Sequence, residues 1–228
     1  TQTGAKFNDL SVMAISHFHP DHTSDLPAFM WAGRQGRNDV LPVIGPSGND
    51  GVPSLPVFLK RLFDTKEGVF QVLGAIMQPA SANTGAVHLE PTMVDVTKTE
   101  PTKVFDKDGM MITALGIPHG NIPALAYRVQ TNGVSVVFST DQTGTNPHFI
   151  DFAKGANVLI MHMATDMENS PLHASPATVG RVAQSAGVGR LIVSHLGQFD
   201  LNAAVAELKK SYTGPLTIGA DLQCTPVR

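Results

Sequence analysis

Short apolar runs rich in β-branched residues alternate along the chain with turn signals and stretches of helical periodicity. Runs at Ser11–Ser16, Leu41–Gly45, Thr92–Thr97, Met110–Ile117, Ala124–Val129, Val134–Ser139, Asn157–Met161, Arg190–Ser194 and Pro215–Ile218 predict strands. Asp108-Gly109, ahead of Met110–Ile117, and Asn132-Gly133, between two runs, are hairpin signals, because both central residues of a tight turn there take positive φ. The second half changes rhythm, with helices at Ser175–Ser185 and Leu201–Tyr212 set between strands. Ser175 followed by Pro176 predicts a helix start, since a serine oxygen can take an orphan amide and the proline ring is pre-set for the first helical position. In the stretch 53–79, Phe58, Leu62, Phe63, Phe70, Leu73 and Met77 recur at helical spacing, broken at Asp64–Gly68. That stretch reads as a helical hairpin inserted between strands, either packed on the domain or serving as a lid or subunit contact. The pattern predicts one α/β layered domain over 1–228.

Composition narrows the picture. With 228 residues, 42% hydrophobic and 15% charged, the chain can bury a core and is neither disordered nor collagen-like. Its 16 Lys+Arg against 19 Asp+Glu leave a net charge of −3, which argues against a large phosphate-binding surface. A single cysteine, Cys224, excludes an internal disulfide framework and a thiolate-rich zinc site. No apolar run approaches the ~20 residues that span a bilayer. The chain begins at Thr1 without a methionine, so removal of an export signal and either a cytoplasmic or a periplasm-like compartment stay open.

The informative segment is Ser16-His17-Phe18-His19-Pro20-Asp21-His22. Four candidate ligands fall within six residues, directly after an apolar run, where a loop can turn them inward together. Imidazole and carboxylate suit zinc or a similar divalent ion without any thiolate. Further candidates share one context: His119 follows Met110–Ile117, Asp141 follows Val134–Ser139, and His195 follows Arg190–Ser194. Each is a polar residue at the carboxyl end of an apolar run, where layered α/β folds carry their chemistry.

His17-x-His19-x-Asp21-His22, followed in order by His119, Asp141 and His195, resembles the signature of metallo-β-lactamase superfamily hydrolases. The segments His119-Gly-Asn-Ile-Pro123-Ala-Leu-Ala-Tyr127-Arg128, Leu172-His173-Ala174-Ser175 and Leu191-Ile-Val-Ser-His195 are most similar to the ribonuclease Z-like branch. The resemblance spans nearly the whole chain and implies a four-layer αββα sandwich with two metal ions between its sheets. It implies one ion held by His17, His19 and His119 and a second by Asp21, His22 and His195, with Asp141 bridging. Zinc is the expected metal, manganese or iron(II) the alternatives. Two close dications would activate a water near neutral pH and stabilise the leaving oxygen, which is hydrolysis. The resemblance also gives Asp21 a catalytic role beside its ligand role, and makes His173 the catalytic histidine.

Three departures from the branch follow. Only ten residues precede Ser11, so the resemblance implies N-terminal strands missing from this chain. Asp141 sits in Ser139-Thr140-Asp141-Gln142, where the family often has Gly-Asp-Thr. The branch's His-Glu pair is His162-Met163 here, leaving Asp166 or Glu168 as candidates to orient His173. His162 reads as a support behind the ligands or a structural residue, and His88 and His148 as surface or loop residues.

The function these residues predict is binuclear, metal-dependent hydrolysis of a phosphodiester or related ester. The alternatives are a β-lactamase, disfavoured by the acidic Asp141 bridge, a tRNA 3′-processing endonuclease, and a non-catalytic metal binder. Ribonuclease Z carries its tRNA-gripping arm between the third His motif and the bridging Asp. Here His119 and Asp141 lie 22 positions apart (141 − 119), and a hairpin fills that space. Together with the net charge, this predicts a small-molecule ester substrate, no nucleic-acid or membrane partner, and a homodimer as one option.

Overall fold

The computed structural model describes residues 4–34, 36–82 and 84–227. The chain divides into two compact units, Thr1–Asp95 and Val96–Arg228.

The first unit holds a three-stranded parallel sheet of β1 (Met13–Ala14), β2 (Val40–Pro46) and β3 (His88–Val94), in that order. Central β2 is buried over nearly all its length, which is why it reads as a continuous apolar run without alternation. Helices α1 (Pro20–Thr23), α2 (Leu26–Gly33) and α3 (Leu55–Phe63) complete the unit with 3-10 turns. Leu55, Leu59 and Phe63 form the buried stripe of α3 and meet Leu41, Val43, Leu73 and Ile76 in the core. Asp64 ends α3: its Oδ1 accepts from Lys66 N (2.8 Å) and Glu67 N (3.0 Å), and these bonds hold its carboxyl below the usual carboxylate range. The segment after it, Gln71–Met77, is a 3-10 helix rather than a second α-helix. Val72, Gly74 and Ile76 are weak α-helix formers, and Gly74 lies close against Thr65.

Two readings change in this unit. The strand expected at Thr92 starts at His88, because β3 is an edge strand, where Pro91 is tolerated. His88 is therefore no surface residue: it is 2% exposed, with Nδ1 2.8 Å from the Gln78 carbonyl. Helix α2 (Leu-Pro-Ala-Phe-Met-Trp-Ala-Gly) escapes the pattern because it carries no polar face to create a period.

The second unit is built on a seven-stranded mixed sheet. Its strands are β4 (Thr102–Lys107), β5 (Met110–Ile117), β6 (Ala124–Thr131), β7 (Val134–Phe138), β8 (Val158–Met163), β9 (Leu191–Leu196) and β10 (Leu216–Ile218). β4 to β7 form an antiparallel meander, while β7 to β10 are parallel, with helices in the connections. Both hairpin signals are turns with positive φ at each central residue: Asp108 +52° and Gly109 +76°, Asn132 +50° and Gly133 +75°. β4 is absent from the sequence-derived strands because it is a charged edge, with Lys103, Asp106 and Lys107 blunting it against further pairing. Helices α4 (Pro147–Ala153), α5 (Pro176–Ala186) and α6 (Leu201–Lys209) bury Phe149, Val179, Val182, Ala183 and Leu208 against Leu115, Val137, Leu159 and Val193. α4, missed for its shortness, is capped by Asn146, whose side chain accepts from His148 N at 3.0 Å.

Gly116 fixes the end of β5, three residues before His119. Any Cβ there would collide with the Val96 carbonyl, a backbone group that cannot swing aside. Gly116→Ala is expected to destabilise by at least the ~1–3 kcal/mol typical of overpacking, read as a lower thermal midpoint by circular dichroism. An unchanged melt would show that the Val96 segment yields without cost.

Candidate metal centre

In the first unit, Ile15 N donates to Ile44 O (2.8 Å), holding the chain beside β2 until the histidine segment leaves it. His17 is fully buried; its ring centroid lies 4.7 Å from that of His19 and 4.1 Å from that of His22. Phe18 points elsewhere and stacks on Phe58 of α3, with centroids 4.2 Å apart and planes within 9°. The alternation His-Phe-His thus separates two donors from one anchor. Pro20 starts α1, and Thr23 Oγ1 donates back to the His19 carbonyl at 2.9 Å. That single turn carries Asp21 and His22, with His22 Nε2 3.4 Å from Asp21 Oδ2.

In the second unit, loops at strand ends and the last residues of β9 gather His119, Asp141, His173 and His195. His119 is fully buried, and its Nδ1 is 2.8 Å from the Leu172 carbonyl. A carbonyl can only accept, so Nδ1 carries the proton and Nε2 keeps its lone pair, the tautomer of a metal-binding histidine. Asp141 is 2% exposed, with its Oδ2 3.5 Å from His195 Nε2 and 3.8 Å from His173 Nδ1. The backbone on either side of this carboxylate is strained. Thr140 has φ +52° and His195 +48°, a region that costs a non-glycine residue on the order of 1–3 kcal/mol. Local bonds hold the Thr140 turn: Thr140 Oγ1 to Leu125 O (2.8 Å), Ser139 Oγ to Thr140 O (2.8 Å), and Gln142 Nε2 to Ser139 O (2.9 Å).

His162 lies behind this group on β8, 2% exposed, with ring centroid 5.4 Å from that of His173. Its Nε2 accepts from Ala174 N at 3.1 Å. Burial pushes its pKa down to about 4, aided by His173 and His195 and opposed by Asp141 and the Thr140 carbonyl. Met163 is wholly buried in the core. Asp166 and Glu168 are exposed, and neither bonds to His173 among the described residues, so neither replaces the missing carboxylate. His148 is exposed on α4. The bonds from His119 to Leu172 and from His162 to Ala174 span 53 and 12 residues and left no mark in the sequence.

The donor set is imidazole and carboxylate throughout, the kind that holds a divalent ion. A family model described as the beta-lactamase superfamily domain matches residues 1–196. The chain belongs to the beta-lactamase superfamily. Ribonuclease Z of Mycolicibacterium paratuberculosis is similar to it, 26% identical over 238 residues, covering 93% of this chain and 78% of that protein. The metallo-β-lactamase fold protein YhfI from Bacillus subtilis matches with a TM-score of 0.70 at 22% identity, over 95% of this chain and 77% of that one. Human tRNase Z, short form, matches with a TM-score of 0.69 at 16% identity, over 100% and 83%. The α/β fold class, the hydrolase class and the ribonuclease Z-like resemblance stand.

One expectation is overturned. A small-molecule ester substrate with no nucleic-acid partner conflicts with relatives that are ribonucleases. A net charge is a sum over the whole chain and does not report local cation density, and a short His119–Asp141 interval bears on one insertion only.

The loop bearing His173 runs straight into α5, whose cap the sequence marks. Ser175 Oγ accepts from Thr178 N at 3.2 Å and is 2% exposed. Ser175→Ala should lower the free energy of unfolding in urea by ~1 kcal/mol, with Ser175→Asp recovering part of it. Equal stability of wild type and Ser175→Ala would show that the cap contributes nothing.

Proposed function

We propose that the chain is a metal-dependent hydrolase of RNA phosphodiester bonds, with tRNA as the substrate class that the names ribonuclease Z and tRNase Z of its relatives suggest. The observation that carries the reading is similarity to ribonuclease Z along 93% of the chain, in a chain that keeps the full run of histidines and aspartates. His17, His19 and His119 would hold one ion, Asp21, His22 and His195 the other, and Asp141 would serve both. The fully buried His119, with Nδ1 held to the Leu172 carbonyl, fits this role, since that bond selects the tautomer in which Nε2 carries the lone pair. When bound, the two ions, zinc first among candidates, supply a water nucleophile at neutral pH and offset charge on the phosphoryl oxygens. Asp21, exposed on α1, adds a carboxylate that can take up a proton at Oδ2. His173 donates a proton to the departing alkoxide. The ordinary imidazole pKa of ~6.5 suits such a task, and Asp141 Oδ2 lies 3.8 Å from His173 Nδ1.

Two experiments test this reading. Purified protein should contain divalent metal, cleave precursor tRNA near its 3′ end, lose both cleavage and thermal stability on dialysis against chelator, and regain them with zinc or manganese. Metal-loaded protein that leaves precursor RNA intact while hydrolysing small phosphodiesters would refute the RNA substrate.

His173→Ala should keep its metals and fold but lose ~10²–10⁴-fold in kcat on RNA, the scale of a lost general acid. The loss should shrink on bis(p-nitrophenyl) phosphate, whose leaving group departs without a proton. Near-wild-type rates on both substrates would remove His173 from the chemistry.

A further inference from the structure

A proton donor works only if its ring is held, and the residue that follows the β8 histidine is Met163, an apolar side chain buried in the core. The loop carrying His173 is tied down along its backbone instead. Ser170 Oγ accepts from Leu172 N and His173 N, both at 3.3 Å. Gly120 N donates to Pro171 O at 3.2 Å, and His119 Nδ1 reaches Leu172 O. The last tie is of another kind. The Ala174 amide, one residue after His173, donates to the side chain of His162. A main-chain amide in a loop without ladder partners needs a buried acceptor, and an imidazole nitrogen qualifies only while it is unprotonated. With Nε2 accepting, the ring proton sits on Nδ1. The ring is carried by β8, whose backbone pairs at His162 with Ser194 of β9. One rigid ring therefore stands between β8 and the residue after His173.

We propose that His162 is a positioning residue for His173: its imidazole is a fixed-length strut that keeps the 170–174 loop at a set distance from β8. The proposal rests on the assignment of His173 as proton donor, which it deepens. His162 touches no substrate. It acts through the Ala174 amide, and its removal frees the loop without removing a metal ligand.

The test uses metal-loaded, full-length protein with His162→Leu, which removes the acceptor, and His162→Gln, whose side-chain oxygen reaches roughly where Nε2 stood. Four results are expected for His162→Leu. Hydrogen exchange at the Ala174 amide accelerates about tenfold or more, since its bond is lost. Metal content stays at the wild-type value. kcat on RNA falls about tenfold with little change in KM, while bis(p-nitrophenyl) phosphate turnover barely moves. In a His173→Ala background the Leu substitution costs nothing further, because both act through one group. His162→Gln should restore the RNA rate to within about threefold of wild type. If His162→Leu does not fold, His162→Asn, too short to reach Ala174, takes its place. Unchanged Ala174 exchange, or an equal loss on both substrates with metal released, would overturn the strut. Exchange and metal content are read without turnover. An inert wild type or a silent His173→Ala therefore refutes the functional reading, while exchange at Ala174 still decides the strut.

Discussion

Asp141 imposes the constraint around which the second unit is organised. A carboxylate that is 2% exposed carries a large desolvation cost unless partners meet it, and the groups that approach it here are imidazoles, His195 and His173. Bringing those groups together strains the chain at two points, φ +52° at Thr140 and +48° at His195. A β-branched residue does not adopt such a φ spontaneously; the surroundings must over-determine it. They do so through β7, β8 and β9, whose parallel pairing, with β8 buried along nearly its whole length, leaves the chain little freedom until each strand ends. The order of causes runs from apolar strands, through a rigid frame, to strained loops that present polar atoms a frame alone would not reach.

That order explains what could be read from the sequence. Strand β5 was read to the residue because it is apolar, flanked by Asp108-Gly109 and buried, so pattern and packing agree. The candidate positions stand out for the same reason: His119, Asp141 and His195 come where apolar runs stop. What the sequence hid were elements whose pattern carries no contrast. α2 has no polar face, β4 is a charged edge, and the 3-10 segment after α3 looks helical by spacing while its residues resist the α conformation. His88 was misjudged on a rule sound for central strands, since Pro91 before the expected start sits on an edge. The long-range polar bonds were invisible in principle, because nothing in Leu172 or Ala174 announces that its backbone will be held by a distant histidine.

The substrate question shows where composition stops being evidence. A small negative net charge weighs against a uniformly basic protein, but binding to a phosphate backbone depends on where cations lie. The chain's 16 Lys and Arg are ample for a local patch if even a few converge. The hairpin between His119 and Asp141 is likewise no substitute for a binding argument. It completes the sheet through the pairing of β6 with β7, a structural need that exists whatever the substrate.

The exchange of a carboxylate for Met163 is the chain's most informative departure, and packing shows why it is tolerated. Met163 contributes an unbranched apolar side chain to the core shared by β8 and the helices, where an ionised glutamate would need a partner to repay its desolvation. Losing the carboxylate removes a charge that would raise the proton affinity of a neighbouring imidazole, and leaves orientation to be met by other means. Backbone bonds can fix a loop's position without adding charge. His119 reaches Leu172, Ser170 reaches His173, and His162 reaches Ala174, so the His173 loop is held from three directions by neutral contacts. The remaining charge partner is Asp141 itself, 3.8 Å from His173 Nδ1. Placement of the loop is thereby met by hydrogen bonds to its own backbone, and the charged neighbour of His173 comes from the Asp141 turn and not from β8.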